Sequence, residues 1–380
     1  MRSKTAIILL FVIALLSISA LGCKGEEKKP EPEKKPPVVI KIGAVLPLSG
    51  KSAAYGNWIK EAIELVKDET NSSGGINGSQ IEIIYEDDKG EPGTAASAMQ
   101  KLTEIDKVPV VYGSWVSSCV LAQAPIAEKT KTVLMAEAIS PKIREAGDYV
   151  FRFDPDVRIS LGKLMPFVLK QKHLKNATFY INNDFGVDQA EVFKKGIEEG
   201  GGKIVFQEGY DPNATDFRTA LTKIKKLKPD AIFIPSYLEM ATILKQIDEL
   251  GIKSQIYSSF PFENDNIISI AGEAAEGVIY PFFFDSESSD EVMVKYQTDY
   301  QLKYGRPSEG FAALAYSGMT IIVDILKKVG PNPDQIKNEL YKVKDYPSPF
   351  GPVSFDEKGD IDIPIYIKTV QNGKFVVLNK

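Results

Sequence analysis

Residues 108–127 read VPVVYGSWVSSCVLAQAPIA. Valines and a tyrosine at 108–112 form a short β-branched and aromatic run, continuously apolar, as expected of a strand buried on both faces. Gly113 opens a loop, and the pair Ser117-Ser118 starts a helix, because short hydroxyl side chains satisfy the free N–H groups there. A strand running directly into a helix is half of a βαβ unit. The serine pair reads in two ways. It caps the helix, or it joins the backbone N–H groups and positive dipole in seating an anion such as a carboxylate.

Outward from this unit, similar runs recur at 38–46, 80–85, 132–135, 178–181, 203–206, 231–234, 255–257 and 277–284. Between them lie helical patterns: Trp58, Ala62, Ile63, Leu65 and Val66 share one face of 54–69, and 191–199, 217–226 and 240–250 behave likewise. The alternation predicts an α/β fold of mostly parallel sheets covered on both faces. So many strands are too many for one doubly wound domain, and 380 residues also suggest two. The alternation breaks at 149–155 (YVFRFDP), 280–285 (YPFFFD) and 348–352 (SPFGP), the last after a helix over 310–329. Three breaks imply that the chain crosses between lobes three times, a three-strand hinge. They place 38–154 and 285–350 in a first lobe, and 155–284 and 351–380 in a second. Residues 363–378 form a hairpin whose Asn372-Gly373 supplies the positive φ angles of a tight turn.

At the N-terminus, Arg2 and Lys4 precede an apolar or small run from Thr5 to Gly22, the pattern of an export signal over 1–22. The run ends Ala20-Leu21-Gly22-Cys23, which looks like a lipobox with Cys23 as the lipid-bearing residue. Residues 24–37 hold nine charges, four prolines and no apolar anchor. With Cys23 they read as a lipid-anchored flexible tether holding an exported domain off the outer face of the cytoplasmic membrane. That leaves Cys119, which has no cysteine to pair with and no His/Asn partners for a nucleophile; it reads as packing.

Composition excludes several function classes. A net charge of −5 without a basic stripe argues against nucleic acid. His173 is the one histidine in the sequence, which rules out a multi-histidine metal site. Nucleophile-elbow, P-loop, dinucleotide-fingerprint and zincin motifs are absent. The pair Asp87-Asp88 reads as a solvated turn before Lys89-Gly90 rather than as acid/base carboxylates. No cofactor is called for.

The informative residues stand at strand carboxyl ends, where open α/β sheets bind ligands. They are the Trp115-to-Ser118 loop, Glu137-Ala138-Ile139-Ser140 after the next strand, Asn183-Asp184-Phe185-Gly186, Pro235-Ser236-Tyr237, and 258–262 with Phe260. Aromatic loop tips there serve as ligand walls or as hinge packing; both readings stay open.

Residues 42–50 (IGAVLPLSG), Tyr55-Gly56, 71–78 (NSSGGING), Asp87-Asp88, the GSWVSS loop, Phe151-Arg152, NDFG and 270–277 (IAGEAAEG) occur in the order of the periplasmic leucine/isoleucine/valine-binding family of ABC transporter receptors, which 38–380 resembles throughout. The resemblance implies a two-lobed trap that binds an amino acid or similar metabolite and presents it to a permease. It places Ser117, Glu137 and Ile139 at the ligand's head group, with Ile139 lacking the family's threonine hydroxyl, and puts Tyr55 and Tyr237 at aromatic cleft positions. Phe185 replaces a common tyrosine. Near Phe260, many members carry an acid for the ligand's ammonium; Glu263 or Glu137 is the substitute here. A buried ammonium without a counter-charge costs several kcal/mol, more than a lost hydroxyl contact at about 1 kcal/mol. The charge partner therefore decides the ligand class.

These readings converge on a non-enzymatic, extracytoplasmic solute-binding receptor of an ABC importer. Its expected ligand is an amino acid of branched-chain type or a related small amide or carboxylate. The alternative is a ligand-sensing subunit docked on an extracellular signalling partner.

Overall fold

The computed structural model describes residues 39–378; the export signal, Cys23 and the tether lie outside the described residues. In the first lobe the parallel strands β1 (Val39–Leu46), β2 (Gln80–Asp87), β3 (Val110–Tyr112), β4 (Val133–Ala136) and β5 (Val150–Arg152) are ordered β2-β1-β3-β4-β5. Their crossovers carry α1 (Ala53–Ser72), α2 (Pro92–Gln100) and α3 (Ser117–Thr130). The chain then enters the second lobe. It runs through α4 (Val157–Lys170), β6 (Lys175–Ile181), α5 (Asp184–Glu199), β7 (Lys203–Tyr210), α6 (Arg218–Leu227), β8 (Ala231–Phe233), α7 (Glu239–Glu249), β9 (Gln255–Tyr257), α8 (Asp265–Ala271) and β10 (Ile279–Phe282).

It returns to the first lobe for α9 (Glu291–Tyr304), α10 (Gly310–Val329) and α11 (Pro333–Leu340), passes through a ribbon of β11 (Ser354–Phe355) and β12 (Ile361–Asp362), and ends as the hairpin β13 (Tyr366–Gln371) and β14 (Lys374–Val377). The second sheet is ordered β14-β13-β10-β9-β8-β6-β7. Its parallel part, β7-β6-β8-β9-β10, repeats the order of the first sheet. Each lobe thus has one topological switch point, between β1 and β3 and between β6 and β8, where crossovers diverge and leave a crevice at the strand ends.

All the expected strands are present. β6 starts at Lys175 and β7 continues to Tyr210, beyond the β-branched runs that announce them. Pairing explains the extension, since β6 and β7 match residue for residue over their length apart from one register shift at Asn176/Ala177. Asn372 and Gly373 take φ of 54° and 68° at the tip of β13–β14, as the turn requires. Helix α10 has the length and apolar composition of a membrane span, yet 78% of its apolar window is buried in the protein. It is a core helix.

Two buried groups bear on the sequence expectations. Cys119 is fully buried in the first-lobe core. The acid pair departs from a solvated turn: Asp88 is wholly buried, its carboxylate accepting from the Gly90 N–H at 2.7 Å. Asp87 accepts from the Leu48 N–H at 2.9 Å and the Ser49 hydroxyl at 2.5 Å, which pins the loop leaving β1. A carboxylate that bridges two strand ends has its charge solvated by backbone N–H groups instead of water.

Candidate functional site

Each switch point presents an aromatic residue at the start of a helix, and in each case a glycine makes this possible. Gly56 follows Tyr55 in α1, where a Cβ would lie 2.2 Å from the Pro47 carbonyl oxygen; Gly186 follows Phe185 in α5, where a Cβ would lie 1.9 Å from that of Ile181. With glycine there, the first helical turn rests on the exit of its own strand, and the preceding ring is delivered to the strand's carboxyl end. The loops after β3 and β8 add Trp115 and Tyr237.

These four rings form a continuous stack across the molecule. Tyr55 lies on Trp115 with centroids 4.0 Å apart and planes 8° from parallel. Trp115 meets Tyr237 at 5.0 Å, and Tyr237 meets Phe185 at 4.6 Å. Phe311, from the first turn of α10, closes the first-lobe side edge-on to Tyr55 and Trp115 at 5.6 and 5.4 Å.

Polar links between the lobes hold them closed. The Tyr55 hydroxyl donates to the Pro261 carbonyl at 2.9 Å, and the Ser140 hydroxyl donates to Asp188 at 2.5 Å. At the rim, Lys142 pairs with Asp184 and Asp188 at 2.7 and 3.2 Å, and Lys51 with Glu239 at 3.5 Å. The lysine ends are exposed, so each rim pair adds little on its own.

The closed lobes enclose a cavity of about 230 Å³ of atom-free space, its mouth included, lined by Trp115, Ser117, Ala138, Ile139, Asp154, Phe185, Phe260, Pro261 and Phe311. Its lining is mainly apolar with a few polar groups, the composition of a small-molecule site. The structure thus brings Trp115, Ser117, Ala138, Ile139, Phe185 and Phe260 to one cavity, with Tyr55 packed against Trp115 and Tyr237 against Trp115 and Phe185. Asp154, Pro261 and Phe311 are lining residues that the sequence reading did not single out.

Ser118, Glu137 and Glu263 do not line the cavity. Ser118 is the next residue of α3 and half-buried. Glu137 accepts from the Tyr112 hydroxyl at 2.6 Å beneath the sheet, where burial pushes its carboxyl well above the usual range. Glu263 accepts from Lys368 at 2.5 Å and from the Tyr280 hydroxyl at 2.7 Å, a buried network that ties the loop after β9 to the C-terminal hairpin. Glu263 is fully engaged by these partners, and Glu137 through one oxygen only, its Oε2 being buried with no partner among the described residues; neither lines the cavity.

Helix α3 begins on Val116, which makes no side-chain capping bond, so Ser117 is the first helical residue rather than a cap. Its hydroxyl oxygen is buried with no hydrogen-bond partner among the described residues, as is Oδ1 of Asp154. Orphaned polar atoms of this kind are rare in native interiors and call for a partner.

Below the cavity, Arg152 is completely buried and binds the floor to the hinge. It donates to the Ser140 carbonyl at 2.9 Å, to Asp156 at 2.7 Å and to Asp360 at 2.5 Å. The β11–β12 ribbon meets β5 at this point, Arg152 bridging to Asp360.

Comparison with known proteins agrees with this geometry. A family model described as periplasmic binding protein matches residues 39–374. The leucine-, isoleucine-, valine-, threonine- and alanine-binding protein of Pseudomonas aeruginosa is 27% identical over 338 residues, covering 86% of this chain and 89% of its own. Among solved structures, the branched-chain amino acid transporter substrate-binding protein LivJ of Streptococcus pneumoniae, in complex with isoleucine, superposes with a TM-score of 0.83 at 30% identity, covering 90% of this chain and 99% of its own. A solute-binding protein of Rhodopseudomonas palustris in complex with 3,4-dihydroxybenzoic acid superposes with a TM-score of 0.79 at 26% identity, covering 89% and 95%. The match extends over nearly the whole described chain, and the chain belongs to the periplasmic binding proteins of the leucine/isoleucine/valine-binding family, which are solute-binding transport receptors and not enzymes.

Proposed function

We propose that the protein captures an amino acid of branched-chain type, or a related small amide or carboxylate, by closure of its two lobes and delivers it to an ABC permease, while a lipid on Cys23 holds it at the outer face of the cytoplasmic membrane. The observation that carries this reading is the meeting of both switch points in one small cavity with apolar walls and an unpartnered hydroxyl, Ser117, at the N-terminus of α3. A ligand carboxylate fits there by charge and hydrogen bonding. Its apolar remainder fits between Trp115, Phe185, Phe260 and Phe311. Because contacts come from both lobes, bound ligand favours the closed state by its differential affinity for it.

The test is a thermal-shift screen of the purified protein against amino acids, amides and small carboxylates. A ligand at a hundred times its dissociation constant adds about 2.7 kcal/mol. A screen in which only sugars or peptides stabilise the protein rejects the reading. Radiolabelled fatty acid incorporated by the wild type and not by Cys23→Ala supports the anchor.

A further inference from the structure

We propose that Asp154 is the counter-charge for a ligand cation, so that the site selects small zwitterions with an apolar body over the corresponding carboxylates without an amino group. The inference rests on the receptor reading above and names a specificity residue within it. Asp154 is 1% exposed and lines the cavity, and its Oδ1 has no hydrogen-bond partner among the described residues. It is the one carboxylate among the lining side chains, and no lysine, arginine or histidine joins it there.

Its natural neighbour in charge, Arg152, stands two residues earlier but is turned away. The guanidinium is engaged by Asp156, Asp360 and the carbonyls of Ser140 and Ile139. Burial accordingly raises the Asp154 carboxyl well above its usual range, with Arg152 as the opposing charge at longer reach. A carboxylate held this way is stabilised as an anion when a positive group is brought to it.

The same cavity wall carries the second orphan, the Ser117 hydroxyl on the first turn of a 14-residue helix. The lining thus offers a hydroxyl suited to an anion and a carboxylate suited to a cation among apolar rings and Ile139. That is the chemistry of an α-amino acid with an apolar side chain. Glu263 is occupied by Lys368 with Tyr280, while Glu137 bonds Tyr112 through one oxygen and keeps Oε2 buried without a partner among the described residues, but neither lines the cavity as Asp154 does.

The experiment is calorimetric titration of wild type, Asp154→Asn and Asp154→Ser with L-leucine and with 4-methylpentanoate, its analogue lacking the amino group. In the wild type, leucine is expected to bind at least tenfold more tightly than 4-methylpentanoate. Both variants are expected to lose roughly 10–100-fold for leucine, the worth of a hydrogen bond to a charged group, while binding 4-methylpentanoate as well as or better than the wild type. Their ligand-free melting temperatures are expected to be no lower than wild type, since an unpaired buried carboxylate has been removed, and this separates lost recognition from lost folding.

Leucine binding unchanged by both substitutions overturns the role of Asp154 and leaves the receptor reading intact. Wild type that prefers 4-methylpentanoate or a benzoate over leucine also overturns it, in favour of a carboxylate receptor. Wild type that binds none of these overturns both readings.

Discussion

The ring of Trp115, on the loop after β3, lies 5.0 Å from the ring of Tyr237, on the loop after β8. One belongs to each lobe, so this contact exists only when the cleft is shut. Tyr237→Ala is expected to weaken ligand binding at least tenfold with little loss of fold, because it removes a ring at the seam rather than within one sheet's core. Small-angle scattering should register a larger radius of gyration for the ligand-free variant than for wild type. Identical scattering and affinity would remove Tyr237 from the closure contact.

Ser117→Ala deletes a buried hydroxyl that has no partner in the protein. Its melting temperature is expected to equal or exceed that of wild type, whereas ligand affinity falls roughly 10–100-fold, the loss of a hydrogen bond to a charged carboxylate of about 1.5–3 kcal/mol. A serine with a structural role would show the reverse: lower stability and unchanged affinity.

Arg152 neutralises Asp156 and Asp360 in a site that water does not reach. Arg152→Met strands both carboxylates, and a loss of about 3–5 kcal/mol in unfolding free energy is expected from denaturant titration. Arg152→Lys recovers only part of this, since one ammonium cannot serve two acids and two carbonyls in one plane. Stability within about 1 kcal/mol of wild type in the methionine variant would contradict the hub.

Asp88 is raised from 3.8 to about 6, first by burial and against the hydrogen bonds from Ser114 and Gly90. Its folded pKa exceeds its unfolded one, so its contribution to stability is intact below pH 3.8 and is lost as the pH rises through about 6. The shift is worth about 3 kcal/mol. Relative to Asp88→Asn, wild type should therefore lose stability between pH 4 and 6 and stay at a constant deficit above that. A stability difference independent of pH would show that Asp88 is not so perturbed.

The fold was legible because its signals are local. Continuous β-branched runs such as 108–112 mark buried parallel strands, and turn chemistry such as Asn372-Gly373 specifies its own backbone. The cleft loops were legible for the same reason, since strand ends can be located from the strands. What remained hidden depends on contacts far apart in the chain. Phe311 reads as one more apolar residue of α10 until that helix is docked against α1. Asp154 reads as the end of the break at 149–155, and only the fold shows it as a buried acid lining a cavity with Phe260, Pro261 and Phe311. The side-chain directions of Glu137 and Glu263 are likewise set by Tyr112 and Lys368, 25 and 105 residues away. No spacing rule on one segment encodes such pairings.

The cavity wall is divided unequally: Trp115, Ser117, Ala138, Ile139, Asp154 and Phe311 come from the first lobe, against Phe185, Phe260 and Pro261 from the second. On the proposed receptor reading, this division has a guest board the first lobe while the jaws are apart, with the second arriving afterwards as a lid. Changes on the boarding side should govern how often an encounter succeeds, and changes on the lid should govern residence time, which sets how long the loaded receptor has to find its transporter before it spills its cargo.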